Sequence, residues 1–268
     1  MSDAAPPPDG LAVTGSTGRI GRMLRTVWAG ADVAWLRRGD PLETGLRGRS
    51  CVVGLAGVTR GDARALAANT STACQTLRAA EAAKVKRVIL FSSAAVYGRA
   101  SGPLVETAAP TPVAPYGTAK AEMEENVARW CAAHPNGPEV TILRLGNVAG
   151  ADALLSSLDK TPPGLDIFPD GRSPRRSYIG PRTLAEVLVR LAIHPGPLPE
   201  ILNVAAPGTV EMAALLRAAA LSWTPMRAPP AAIPEVELDT RLLQSLLPLP
   251  PDASDPARIV AEWREVCR

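Results

Sequence analysis

Aromatic residues are scarce in this chain, 4% of 268 positions, and there are only 2 histidines. So few aromatics leave little from which to build a base-stacking surface for nucleic acid. The net charge of +3 is small for the length and the basic residues are scattered, so no electrostatic footprint for nucleic acid is visible either. His134 and His194 each precede a proline and have no clustered carboxylates around them, which disfavours a metal site. The four cysteines, Cys51, Cys74, Cys131 and Cys267, share no ligand-like spacing and form no Cys-x-x-Cys pair; they read as ordinary thiols in a reducing compartment. No apolar run approaches the roughly 20 residues that span a bilayer. Met1–Gly10 is Pro-rich and acidic, lacks the apolar core of a signal peptide, and reads as a short disordered lead. These absences point to a cytoplasmic protein with neither a membrane nor a nucleic acid as partner.

The first thing present is a strand, a Gly-rich turn and a helix in immediate succession. Leu11-Ala12-Val13 is a short apolar run; Thr14-Gly15-Ser16-Thr17-Gly18-Arg19-Ile20-Gly21 follows, and a helical pattern runs on to about Trp28. This is the context a dinucleotide-binding turn requires. Gly15 permits the tight turn, Gly18 lets backbone N–H groups approach a pyrophosphate, and Gly21 lets the helix pack close to the strand. The helix N-terminus then faces the phosphates.

Further strands are expected at Val33–Leu36, Cys51–Gly57, Val88–Phe91 running into Ser92-Ser93, Val140–Arg144 and Leu202–Val204. Helices are expected over Asp62–Ala83, Tyr116–Ala133, Thr183–Ile193, Glu211–Ala220 and Ile259–Val266. Strands alternating with helices imply an α/β, Rossmann-like, doubly wound parallel sheet. Ligands on such sheets bind beyond the carboxyl ends of the strands. Gly15, Gly57, Ser93 and Asn147 all stand just past strand ends, so they can line one cleft. Many of the 27 prolines fall after residue 159, where the pattern loosens and turns are expected at Pro162-Pro163-Gly164 and Pro169-Asp170-Gly171. The expected organisation is a dinucleotide-binding domain over 11–150 and a small substrate lobe over 151–268, some elements of which return to the sheet.

Tyr116 and Lys120 stand four residues apart at the start of a helix, and so lie on one face a turn apart. An ammonium beside a phenol favours the phenolate and lowers the phenol's pKa. A Tyr tuned in this way can pass a proton near neutral pH. The spacing also arises by chance on solvated helices; what raises it is the phosphate-type turn and the strand ending in Ser93 upstream.

These motifs together resemble the extended short-chain dehydrogenase/reductases, in particular the NAD-dependent epimerase/dehydratase group acting on nucleotide sugars. The resemblance runs from Leu11 onward through Thr14–Gly21, Leu55-Ala56-Gly57, Val88–Gly98, Tyr116-x-x-x-Lys120, Leu143–Asn147, Arg176–Ile179 and Leu238–Arg241. It implies a hydride transfer at a carbinol or carbonyl carbon with Tyr116 as general acid/base. Ser93 would hydrogen-bond the reacting oxygen, and Lys120 would orient the nicotinamide ribose. It implies that Gly15, Thr17, Gly18, Arg19, Ile20, Gly21, Leu55, Ala56 and Gly57 contact the cofactor. Asn147 and Arg176 would hold the diphosphate of the substrate; a guanidinium suits a phosphate in geometry and charge, and the neighbouring Arg172 and Arg175 are alternatives. It also implies a homodimer through the helices at Asp62–Ala83 and Tyr116–Ala133.

Three departures shape the reading. The segment from Leu36 to Cys51 is very short, so the sheet is expected to lack a strand. No acid follows Leu36; Arg37 and Arg38 stand there instead and suit a 2′-phosphate, which favours NADP over NAD as cofactor. Ala94-Ala95 follow Ser93 where the family's dehydratases carry an acidic pair, so an epimerase or ketoreductase is expected rather than a 4,6-dehydratase. The alternatives are an NADP-dependent reductase of a non-nucleotide carbonyl compound, favoured by the small lobe, and a non-catalytic NADP-binding sensor.

Overall fold

The structure is a computed structural model that describes residues 6–99, 101–156 and 162–267. Residues 1–5 of the expected lead lie outside it. In chain order the elements begin β1 (Leu11–Thr14), α1 (Arg19–Val27), β2 (Val33–Leu36), α2 (Leu42–Gly45), β3 (Cys51–Gly54), α3 (Ala63–Ala82), β4 (Arg87–Ser93), α4 (Pro115–Ala133) and β5 (Glu139–Leu145). There follow β6 (Asn147–Val148), β7 (Gly164–Ile167), β8 (Arg175–Arg176), β9 (Tyr178–Ile179), α5 (Pro181–Ala192) and β10 (Ile201–Val204). The last are β11 (Val210–Glu211), α6 (Met212–Ala218), β12 (Thr224–Arg227), β13 (Glu235–Val236), α7 (Arg241–Leu246) and α8 (Pro256–Val266).

A central sheet of six strands has the order β10-β5-β4-β3-β1-β2. The pairs β1–β2, β1–β3 and β3–β4 are parallel. In the doubly wound order 3-2-1-4-5-6 a third strand lies outside the second. Here β2 is the edge of the sheet, as the short Leu36–Cys51 stretch leads one to expect. That stretch holds only the single-turn α2. Registers align the strand ends: Thr14 pairs with Leu36 and Gly54, and Gly54 with Leu90. The loops after β1, β2 and β3 therefore emerge side by side.

By compactness the chain divides into two units. The first comprises residues 1–98, 109–144 and 185–202; the second comprises 99–108, 145–184 and 203–268. The core of the first is aliphatic: Ala12, Val52, Val88 and Leu90 on the strands meet Leu77 and Ala80 of α3 and Met123 and Val127 of α4. Burying side chains of this size stabilises by roughly 1.5–3 kcal/mol each. Asp62 caps α3 by accepting the Ala65 N–H at 2.8 Å. Pro115 opens α4 in its first turn, where no intrahelical N–H bond is lost.

The second unit combines two-residue strands, the four-residue pair β7–β12 and the helices α6 to α8, with a core of Leu154, Leu155, Tyr178, Leu215, Leu216 and Ile259. The expected turn at Pro162–Gly164 is instead the approach to β7, which begins at Gly164 and pairs with β12. The expected helix at Glu211–Ala220 is shorter. Glu211 pairs with Arg175 as part of β11, and Ala220 takes a positive φ that ends the helical path. The strand expected over Cys51–Gly57 stops at Gly54, because Leu55 leaves the ladder at the aligned strand ends. Among the described residues no helix is long and apolar enough to cross a membrane.

Candidate active site

The loops at the aligned strand ends enclose a cavity of about 300 Å³ in the first unit. Thr14, Gly15, Thr17 and Gly18 line it from the β1–α1 turn, Arg37, Arg38, Gly39 and Asp40 from the end of β2, and Leu55, Ala56 and Gly57 from the end of β3. Gly15 has φ +72°, and a Cβ there would stand 2.6 Å from the Ala56 backbone nitrogen. Gly21 is needed for a different reason: its Cβ would stand 2.7 Å from the Gly15 carbonyl oxygen, so helix and turn approach only with glycine. Gly18 is the N-cap of α1 and, having no side chain, makes no side-chain cap hydrogen bond there. The hydroxyls of Thr14 and Ser16 are buried without a hydrogen-bond partner beside this turn. Glycine-lined turn, uncapped helix start and orphaned hydroxyls together fit the pyrophosphate of a dinucleotide. Arg19, Ile20 and Gly21, also expected at the cofactor, form the first turn of α1 and do not line the cavity.

Several lining residues carry no sequence motif. Thr72, Gln75 and Thr76 project from α3 at helical i, i+3, i+4 spacing, a polar stripe that was the only signal available. Asp40 also lines the cavity, and its Oδ2 accepts the Arg37 backbone N–H at 2.7 Å. An acid is therefore present beside Arg37 and Arg38, four residues beyond the strand rather than directly after it.

Ser93 ends β4 and does two things. Its Oγ accepts the Ala95 N–H at 3.2 Å, closing the short 3₁₀ turn Ala94–Tyr97, and its side chain lies close enough to the Tyr116 phenol to draw the phenol's pKa down. Lys120 is buried on the same helix as Tyr116; its Nζ donates to the Phe91 carbonyl of β4 at 2.7 Å. A Cβ placed on Gly57 would lie 3.4 Å from that Nζ, so the ammonium reaches the β3 loop that lines the cavity. Ser93, Tyr116 and Lys120 are thus brought together, with Gly57 next to the lysine.

The electrostatics differ from the expectation that Lys120 lowers the Tyr116 pKa. Burial pushes the phenol above its ordinary value, and only the nearby Ser93 side chain works in the opposite direction. The reason is geometric: the Lys120 ammonium is engaged by a main-chain carbonyl rather than by the phenol. Burial also lowers Lys120 itself to about 8, with the nearby Glu124 acting in the opposite sense.

Glu124 stands one further turn along α4 and is the hub of a buried network. Its carboxylate accepts the Ser92 hydroxyl at 2.5 Å and the Arg144 guanidinium at 2.8 Å, and the Arg144 plane lies 4.7 Å from the Tyr97 ring centroid. Ser92 is thereby occupied structurally, which separates it from its neighbour Ser93.

Asn147 and Arg176 lie in the second unit, on β6 and β8. Asn147 stands opposite Tyr178 in the parallel β6–β9 pair, and the Tyr178 phenol donates to Asp152 Oδ2 at 2.9 Å. Arg176 spends three of its five N–H donors on carbonyls, at Arg175 (2.7 Å), Ile233 (2.8 Å) and Pro234 (3.2 Å), which leaves two for another partner. Arg175 is held by Thr209 and Glu235, and Arg172 is paired with Asp170 at 3.9 Å, so both alternatives have local work.

Comparison with known proteins places this geometry. A model of the NAD dependent epimerase/dehydratase family matches residues 50–205, more than half of the chain. A UDP-glucose 4-epimerase of Azospirillum brasilense is 34% identical over 150 residues, which are 47% of this chain and 42% of the relative. The match thus spans less than half the length of that relative. Among solved structures, a UDP-N-acetylglucosamine 4-epimerase from Methanobrevibacter ruminantium M1, in complex with UDP-N-acetylmuramic acid, aligns over 100% of both chains with a TM-score of 0.77 and 18% identity. A dTDP-glucose 4,6-dehydratase from Streptomyces venezuelae with NAD bound aligns over 95% of this chain and 97% of its own, with a TM-score of 0.74 and 21% identity. At such identities the structures speak for the fold alone.

Proposed function

The chain belongs to the NAD-dependent epimerase/dehydratase family, and from that premise we propose that it oxidises or reduces a carbinol or carbonyl carbon of a nucleoside-diphosphate sugar, with Tyr116 carrying the proton. The observation that carries the reading is the proximity of Ser93 and Tyr116 at the carboxyl end of β4, with Lys120 buried on the same helix as Tyr116 and reaching Gly57. The bound nicotinamide supplies the hydride acceptor and donor. The residues that would hold the cofactor are the Gly15–Gly18 turn with the start of α1 at the pyrophosphate, and Arg37, Arg38 and Asp40 at the adenosine end.

Arg37 and Arg38 alone favour NADP. Asp40 shares their cavity, and a carboxylate accepts a ribose 2′-hydroxyl but repels a 2′-phosphate. We take NAD as the cofactor on that ground; fluorescence titration giving NADP a tenfold tighter Kd than NAD overturns the choice. Ser93 and the Tyr116 phenol bind the reacting oxygen, and Tyr116 gives or takes its proton. Lys120 lies close enough to the β3 loop to orient the cofactor and supplies a nearby positive charge. Asn147 and Arg176 are the residues assigned to the substrate diphosphate. Ala94 and Ala95 offer no carboxylate after Ser93, so no group is placed there for eliminating water; epimerisation or simple redox is the reading.

The test is product analysis by anion-exchange chromatography after incubating the protein with NAD and a panel of nucleoside-diphosphate hexoses. A C4 epimer or oxidised sugar is expected. Tyr116→Phe lowers the rate by about 10²–10⁴, the range for a positioned acid/base, while NAD binding is unchanged. A Tyr116→Phe protein of full activity removes Tyr116 from the chemistry, and a dehydrated sugar as product refutes the exclusion of elimination. A homodimer through α3 and α4 belongs to the same reading, and sedimentation as a monomer at micromolar concentration counts against it.

A further inference from the structure

The end of β4 is gripped by α4 at two adjacent residues. The Phe91 carbonyl accepts the Lys120 Nζ at 2.7 Å, and the Ser92 hydroxyl donates to Glu124 Oε1 at 2.5 Å. Lys120 and Glu124 stand one helical turn apart, which brings both to the same strand end. Ser93, the next residue, makes neither kind of contact; its Oγ accepts the Ala95 N–H at 3.2 Å. Glu124 also reaches past Ser93. Its Oε2 accepts the Arg144 guanidinium of β5, at 3.2 Å from Nε and 2.8 Å from Nη2, and that guanidinium lies 4.7 Å from the Tyr97 ring centroid. One carboxylate therefore brackets Ser93, directly at Ser92 before it and through Arg144 at Tyr97 after it.

Arg144 and Glu124 are 2% and 6% exposed as side chains. A buried ion pair is a poor source of net stability, because desolvation offsets much of the attraction. Apolar side chains of similar volume would hold α4 on the sheet as well. They would not fix the direction of a hydroxyl. Ser93 has φ −153° and ψ 149°, an extended backbone, so its side chain and that of Ser92 leave the strand on opposite sides. Anchoring one sets the other.

We propose that Glu124, acting through Ser92, is a positioning residue that fixes where the Ser93 hydroxyl stands at the end of β4. The inference rests on the reading of Ser93 as a hydroxyl that binds the reacting oxygen. It gives a reason for two adjacent serines to end this strand, one held in the interior by Glu124 and the other close to the Tyr116 phenol. The same carboxylate opposes the effect of burial on Lys120, so it serves both neighbours of the site.

The experiment is steady-state kinetics with NAD and the nucleoside-diphosphate hexose that the wild type converts. NAD affinity is measured alongside by fluorescence titration, and stability by urea denaturation. The proteins are wild type, Ser92→Ala, Ser92→Cys, Ser93→Ala and the Ser92→Ala/Ser93→Ala double variant. Ser92→Ala is expected to lower kcat roughly 10–100-fold, the order for a displaced reacting group, with KM and NAD affinity unchanged. Ser92→Cys, which keeps a weak donor for Glu124, recovers part of that loss. The double variant is no slower than Ser93→Ala, because Ser92 acts only through its neighbour. If Ser92→Ala does not fold, Ser92→Cys and its double variant with Ser93→Ala take its place in the comparison. Wild-type kcat in Ser92→Ala, with Ser93→Ala impaired, overturns the positioning role whatever the urea transition does, and leaves the Ser93 assignment standing. Losses that multiply in the double variant overturn it equally. Full activity in Ser93→Ala, or no conversion of any hexose by wild type, overturns the assignment of Ser93 and the positioning role with it.

Discussion

The two units of this chain are organised on opposite principles. The first is held by long ladders and helices, with four strands in matched register and two helices of about 20 residues over them. The second has one four-residue pair, β7–β12, and otherwise two-residue strands tied by side chains that reach main-chain groups. Ser177 donates to the Gly208 carbonyl and accepts the Leu238 N–H; Glu262 accepts the N–H and hydroxyl of Thr183; Asn203 donates to the carbonyls of Leu104 and Asp239. Regular backbone bonding tolerates side-chain exchange, whereas a fold held by specific side chains depends on each of them. The difference teaches where chemistry and specificity can be placed: acid/base residues on the ends of rigid elements, and ligand-reading residues among short, individually tied strands.

The sharpest way to break the contrast is to cut a buried network in each unit. In the first, Glu124→Ala leaves the Arg144 guanidinium, 2% exposed, without its carboxylate. A loss of about 3–5 kcal/mol is expected for a broken buried pair, measured by urea denaturation. In the second, Glu262→Ala removes the acceptor for Thr183 and a partner of Arg258, a third exposed. About 1–3 kcal/mol is expected there, since a neutral donor pair is left unsatisfied rather than a charge. Equal losses would show that the stranded Arg144 charge costs no more than the unsatisfied neutral donors of Thr183.

A smaller effect is pH-dependent. The Lys120 pKa falls from its ordinary 10.5 to about 8 on folding. Between those values the unfolded chain holds the extra proton, so stability from this residue rises with pH across pH 8–10.5, and its burial penalty is complete below about 8. Lys120→Met should therefore gain on wild type at pH 7.5 and lose that advantage by pH 10. Cys51, whose thiol burial pushes up to about 12, and Tyr116 are present in both proteins and cancel in the difference. A stability difference that stays flat from pH 7.5 to 10 rules out a depressed lysine. Smallest is Asp62→Ala, which removes the α3 cap and should cost about 1 kcal/mol; a loss beyond 2.5 kcal/mol in thermal melts would mean that α3 is less self-sufficient than its ladder suggests.

Legibility in the sequence followed the same divide. The strands expected at Val33–Leu36 and Leu202–Val204 and the helices expected over Asp62–Ala83 and Tyr116–Ala133 were readable to within a residue or so at their ends, because hydrophobic runs and helical spacing are local signals. Two-residue strands such as β6, β8 and β9 have no periodicity to detect. The turn read at Pro162–Gly164 failed because tertiary pairing with β12 overrode the Pro-Gly signal. Asp40 was not read as a cofactor-side acid because it sits four residues past its strand, and only the folded loop returns it to Arg37.

By itself the sequence determined the alternation of elements, the glycines of the first turn and the candidate trio Ser93, Tyr116 and Lys120. Those depend on spacing within one strand or helix, which the backbone geometry translates directly into position. Only the tertiary structure decided the sign of the tuning. It placed the Lys120 ammonium on the Phe91 carbonyl 29 residues away rather than on the phenol, and burial raised Tyr116. It also joined Glu124 to Arg144 and Tyr178 to Asp152. A pKa and a hydrogen-bond polarity are set by desolvation and by partners distant in sequence, and neither exists until the chain has packed.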